Sequence, residues 1–108
     1  MARYLFQLSD HRSPSVLALL RTAGACRRRG DEVVFFLSND GAYVANPEKY
    51  MVGQIKEQVL WLIANGTYFY LIKEDAEPRD IDLKPNMDYA SFDQLAAEMP
   101  SFDHVLFC

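Results

Sequence analysis

At 108 residues, half of them apolar, the chain is long enough to bury one hydrophobic core, and a single domain over 1–108 is expected. Its 15 acidic residues against 11 basic ones give a net charge of −4, the wrong sign for a surface that binds by neutralising phosphates, so nucleic acid is not an expected partner. Two widely spaced cysteines and a start without a basic and apolar leader predict free thiols and a cytoplasmic location. Apolar runs no longer than Val59 to Ala64 fall far short of the roughly 20 residues that cross a bilayer.

In chain order, Arg3 to Leu8 is a short aromatic and branched run closed by Ser9 and Asp10, the pattern of a first strand. Ser13 before Pro14 predicts a helix start, because the hydroxyl caps free N–H groups and proline forfeits no hydrogen bond there. That helix is expected to run to about Arg29, with Val16, Leu19, Leu20 and Ala23 as its inner stripe, Arg27 to Arg29 complementing its dipole and Gly30 as its stop. Glu32 to Leu37 is apolar on both faces, as in a strand covered by helices on each side. Ser38-Asn39-Asp40-Gly41 reads as a turn in which Gly41 supplies a positive φ, followed by a helix from about Glu48 to Ala64. Met51, Ile55, Val59 and Leu62 face inward on that helix, Leu60 and Trp61 lie outside the stripe, and Asn65-Gly66 closes it.

Thr67 to Ile72 is the third strand. The polar stretch from Lys73 to Asp88, with Pro78 and Pro85, allows a short helical turn and then an irregular connection. Met87 to Ala90 suits a short fourth strand, Ser91 caps a helix with Phe92, Leu95, Ala96 and Met99 on one stripe, and His104 to Cys108 ends the series. Strands joined through helices predict an α/β fold, a three-layer sandwich around a mainly parallel sheet of about five strands, open in the manner of flavodoxin.

Three segments carry a family resemblance: EVVFFLSNDGAYVA, NGTYFYLIKEDAEPRDID and SFDQLAAEMPSFDHVLFC. Together they resemble the second strand and Asp-Gly turn, the third strand with its helix, and the last helix and strand of DsrE/DsrF-like proteins. The resemblance implies a subunit that forms homo-oligomers or assembles with related subunits and, in sulfur-relay members, passes persulfide sulfur between cysteines. It also implies a reactive cysteine at the end of the third strand. Here that stretch reads Leu71-Ile72-Lys73-Glu74-Asp75, with no thiol.

Parallel sheets bind ligands beyond the carboxyl ends of their strands. The residues expected there are Ser9, Asp10, His11 and Arg12 after the first strand, Ser38, Asn39, Asp40 and Gly41 after the second, and Lys73 to Asp75 after the third, with Cys108 emerging on the same edge. Two readings stay open. One is a sulfur-transfer subunit, with Cys108 as its carrier thiol or with no carrier of its own. The other is a non-enzymatic module in which Asp10, His11, Asn39, Asp40, Gly41 and Lys73 bind a small anionic metabolite. Cys26 continues the inner edge of the first helix and is expected to be a buried apolar residue. No zinc-type ligand spacing, GxGxxG, Walker loop or GxSxG elbow is present, so no metal or cofactor is expected. Ala18, Thr22 and Ala25, with Leu60 and Trp61, offer helix faces suited to packing between subunits.

Overall fold

The computed structural model describes residues 1–108. Five parallel strands, β1 (Arg3–Leu8), β2 (Glu32–Leu37), β3 (Tyr68–Leu71), β4 (Met87–Tyr89) and β5 (His104–Phe107), form one sheet in the order β4-β3-β2-β1-β5. Flavodoxin's order is 2-1-3-4-5; both sheets are open and both reverse direction beside β1.

Helix α1 (Pro14–Arg28) starts where the sequence places it, with the Ser13 hydroxyl accepting the Val16 N–H, and Gly30 follows its end at φ +92°. Helix α3 (Gly53–Ala64) packs beside α1, and both lie on the face of the sheet formed by Phe6, Leu8, Val33, Phe35, Leu37, Phe69 and Leu71. Lys73–Ala76 form the single turn α4 after β3, and helix α5 (Phe92–Glu98) covers the other face, where Leu5, Val34 and Phe36 meet Leu95. Its Ser91 and Gln94 cap each other's backbone N–H groups, a reciprocal pair that fixes the first turn.

Three expectations are corrected. The helix expected from Glu48 to Ala64 is broken: α2 spans only Pro47–Tyr50, Met51 and Val52 are extended, and α3 begins at Gly53. A β-branched residue next to a glycine is a weak place for a helix, and the extended step lets Met51 turn into the core. The turn at 38–41 instead opens a 3-10 helix, Asn39–Ala45. Gly41 within it does not have a positive φ; its role is close approach, since a Cβ there would lie 2.1 Å from the Leu8 carbonyl oxygen, and Asn39 takes the left-handed conformation instead, at φ 49°.

The three arginines at the end of α1 have partners beyond the helix dipole. Arg27 donates to the Asn65 carbonyl at the end of α3 and to that of Asp31. Arg28 lies 4.0 Å above the Trp61 ring, which is half-buried, and Arg29 pairs with Asp31. Ala18, Thr22 and Ala25 are exposed on α1, and Cys26 is buried in the core as a small apolar side chain.

Candidate functional site

Helices on opposite faces diverge where β1 and β5 lie side by side, so the carboxyl ends of these two strands open the crevice in which such sheets bind ligands. Cys108 sits there. Its N–H donates to the Gln7 carbonyl, and its carbonyl accepts from the N–H and the hydroxyl of Ser9, which ties the residue to β1 on both sides. Its half-buried thiol points to the α1 face, with Sγ 3.8 Å from the Ser13 hydroxyl oxygen at the helix cap.

The loop after β1 is held by Asp10, whose carboxylate accepts the N–H groups of His11 and Arg12. The first of these bonds does most to hold the Asp10 carboxyl below its ordinary range. His11 follows with its side chain nine-tenths buried, Nδ1 unpartnered and 3.9 Å from the Asp10 oxygen, too far for a hydrogen bond. Its ring packs at 4.7 Å on Tyr43, and Tyr43 packs at 4.7 Å on Tyr50. Burial, reinforced by the nearby Arg12 charge, pushes the imidazole pKa down, against opposing pulls from Asp10 and Asp40.

The remaining sequence candidates are distributed along the edge. Asp40 pairs with Arg79 at 3.0 Å, and Arg79 also donates to the Asp75 carbonyl and lies over the Tyr43 ring. The Asn39 N–H is taken by the Asp75 carboxylate, and Gly41 is buried against β1. Lys73 lies 5.9 Å from the Tyr89 ring and lines a separate cleft with Glu74, Ser91 and Gln94. His11 and Lys73 therefore face different clefts, while Asn39 and Asp40 brace the loops between them.

The cleft at His11 measures about 180 Å³ and is completed by Arg12, Tyr50, Met51, Val52 and Ile55. Its far wall escapes a sequence reading because it is made by the break between α2 and α3, which periodicity presents as continuous helix. Arg79 gives no signal in the sequence, and Ser13 reads there only as a helix cap, since the thiol that returns to it comes from 95 residues away. No group of three or more His, Cys, Asp and Glu side chains comes together to hold a metal ion, and no helix is long and apolar enough to cross a membrane.

An open parallel α/β sheet with its switch point beside β1 and its loops gathered at the carboxyl edge has the fold that the sequence resemblance implied, that of DsrE/DsrF-like proteins. The crystal structure of the YchN protein from E. coli superposes on the chain with a TM-score of 0.79, covering 100% of both chains at 21% identity. At that identity the likeness is one of fold. No protein-family model and no curated protein matches the sequence.

Proposed function

We propose that this protein is a DsrE/DsrF-like subunit associated with intracellular sulfur transfer, and that Cys108 is the thiol on which it carries sulfur. The observation that carries the reading is the placement of that thiol at the switch point, against the capped start of α1. Ser13 Oγ accepts the Val16 N–H, and its hydroxyl lies between this sulfur and the Asp10 carboxylate, so it can donate to either. An anionic thiolate or persulfide at this position also meets the positive end of a 15-residue helix. The residue after β3, where the family's thiol would stand, is Ile72 followed by Lys73, which leaves Cys108 as the partly exposed thiol on this edge.

The transfer needs no external oxidant. The Cys108 thiolate attacks the terminal sulfur of a donor persulfide, a new S–S bond forms as the donor's S–S bond breaks, and the donor leaves as a thiolate that takes up a proton. Passing the sulfur on to a partner's thiolate repeats the step in the other direction. Such relay calls for a partner surface, and the exposed small-residue face of α1 supports assembly with copies of itself or with related subunits.

Incubation with glutathione persulfide, followed by intact-mass measurement, tests the reading. The native chain and Cys26→Ser gain one sulfur atom, and Cys108→Ser gains none. An unmodified native chain, or equal uptake by Cys108→Ser, overturns it. Sedimentation at micromolar concentration showing only the 12.4 kDa species would remove the assembly.

A further inference from the structure

We propose that the free edge of β5 pairs antiparallel with β5 of a second copy about a two-fold axis at Leu106, and that this pairing sets the partner's His104 beside Cys108. The pairing stands on the sheet alone, while its bearing on sulfur chemistry rests on the reading of Cys108 above.

The sheet has two outer strands, and only one of them is guarded. At β4 the exposed Asp88 lies in the strand, and Asp80, Asp82, Lys84 and Pro85 lead into it, residue types that deter pairing at an edge. β5 reads His104-Val105-Leu106-Phe107, with no lysine, proline or acidic residue, and its register with β1 runs without a bulge from Tyr4 opposite His104 to Gln7 opposite Phe107. Phe107 is exposed there.

The backbone of this strand is half used. Cys108 donates to Gln7 and accepts from Ser9, so alternate residues, His104, Leu106 and Cys108, direct their N–H and C=O groups to β1. Val105 and Phe107 direct theirs outward, where no strand follows.

A second β5 matches those groups in one register. With Val105 opposite the partner's Phe107, and Phe107 opposite the partner's Val105, every outward N–H and C=O of the strand finds a partner, and Leu106 faces its own copy. Centring the pair on Val105 instead would require Asp103, whose N–H is already bound to the Arg3 carbonyl. Centring it on Phe107 leaves Val105 unmatched within the strand. The favoured register also lays an aromatic ring on a β-branched side chain over the lightly covered face of the sheet and opposes no like charges.

On the α1 face the same register brings chemistry together. Tyr4, Leu106 and Cys108 pack on the core of that face, and His104 stacks on Tyr4 at 4.7 Å. The partner's His104 then stands directly opposite Cys108, in the closer kind of antiparallel pair, with Cα atoms roughly 4.5 Å apart. Within one chain the two residues are separated by four steps of extended backbone, roughly 13 Å, so His104 cannot serve its own thiol. Its imidazole is exposed and joins no ion pair, and an imidazole beside a thiol favours the thiolate. Cys108 would be flanked by Ser13 of its own chain and by the partner's His104.

Sedimentation of the full chain at micromolar concentration should give twice the 12.4 kDa mass. Phe107→Lys changes an exposed residue, keeps the fold and places like charges about 7–8 Å apart across the axis, so it should sediment as a monomer. Amide exchange at Val105 and Phe107 should be at least about tenfold slower in the dimer than in a dilute, monomeric sample. Alkylation of Cys108 by iodoacetamide, followed by the mass of the peptide that holds it, should slow by about tenfold in His104→Gln with sedimentation unchanged. An excess of the Cys108→Ser chain should restore that rate, because its His104 reaches the thiol of the His104→Gln chain across the axis. A monomer at every concentration, a dimer that survives Phe107→Lys or leaves the Val105 and Phe107 amides in free exchange, or no restoration on mixing would overturn the proposal. Since iodoacetamide stands in for the persulfide, a failure of sulfur uptake is told apart from a failure of the pairing.

Discussion

On the face covered by α1 and α3, twenty buried residues form one continuous core in which Phe6, Phe35 and Phe69 stack across three adjacent strands at 5.3 and 5.1 Å. On the opposite face only five buried residues gather under α5, and Phe92 and Phe107 stay 53% and 62% exposed. The difference follows from connectivity. The connections from β1 through β4 all step the same way across the sheet, so right-handed crossovers put their helices on one side, and only the return from β4 to β5 places a helix on the other. Seven residues make a helix roughly 10 Å long. Five strands spaced about 4.8 Å apart span roughly 19 Å, so α5 cannot roof them. One face of the sheet therefore carries the stability, and the other is lightly covered by design of the topology.

Substitution at the centre of each face is the strongest way to break this comparison. Phe35→Ala removes the middle ring of the stack from a fully buried position and should cost about 3–5 kcal/mol, read from the urea midpoint. Leu95→Ala, under α5, should cost about 2 kcal/mol, because the short helix can settle toward a small cleft already present between it and Leu5, Val34 and Phe36. Equal losses would mean that the two faces contribute alike.

Acid should sharpen the comparison, since His11 packs on Tyr43 at the rim of the larger core. Its folded pKa lies below the ordinary value of 6.5, so the neutral ring contributes stability that is full above that pH and is lost as pH falls through the folded pKa. Asp31 adds a second, more acidic loss. Its carboxyl is held low by the Ala2 N–H and then by Arg29, so its contribution is present above the ordinary carboxylate range and disappears as pH falls through the lowered value. Thermal midpoints measured from about pH 8 downward should fall in two stages. His11→Gln should remove the first stage and keep the second. The smallest effect is expected at the seam between α1 and α3, where Arg28→Ala gives up the contact with Trp61 and should cost about 0.5–1 kcal/mol.

Much of this architecture is legible in the sequence because its causes are local. The Ser13-Pro14 start, the stop at Gly30, the Ser91 cap and the doubly apolar β2 each depend on neighbours within a few residues. What escapes has distant causes. Gly41 resembles a turn glycine, but the atom that demands it is the carbonyl of Leu8, a strand away. The Phe92, Leu95, Ala96 and Met99 stripe has the right period for a buried helix face, yet only Leu95 is buried, because periodicity does not reveal how little sheet the helix can cover. At the candidate site, Asp10, His11 and Cys108 are readable as residues after strands. The partners that give them meaning, Ser13, Tyr43 and the Met51-Val52 break, are brought in by the fold.

The seam between β1 and β5 has a consequence for how the chain reaches this state. Arg3 is bound to Ser101 and Asp103, and Cys108 to Gln7 and Ser9, in contacts that join residues about a hundred positions apart. Until β5 has been synthesised, one edge of β1 has no strand to pair with, and an unpaired edge invites association with other chains. Pairings of such long range are also the slow ones to form. The same closure that sets Cys108 beside α1 should thus be a late step of folding, and the candidate thiol site comes into being only when it is complete.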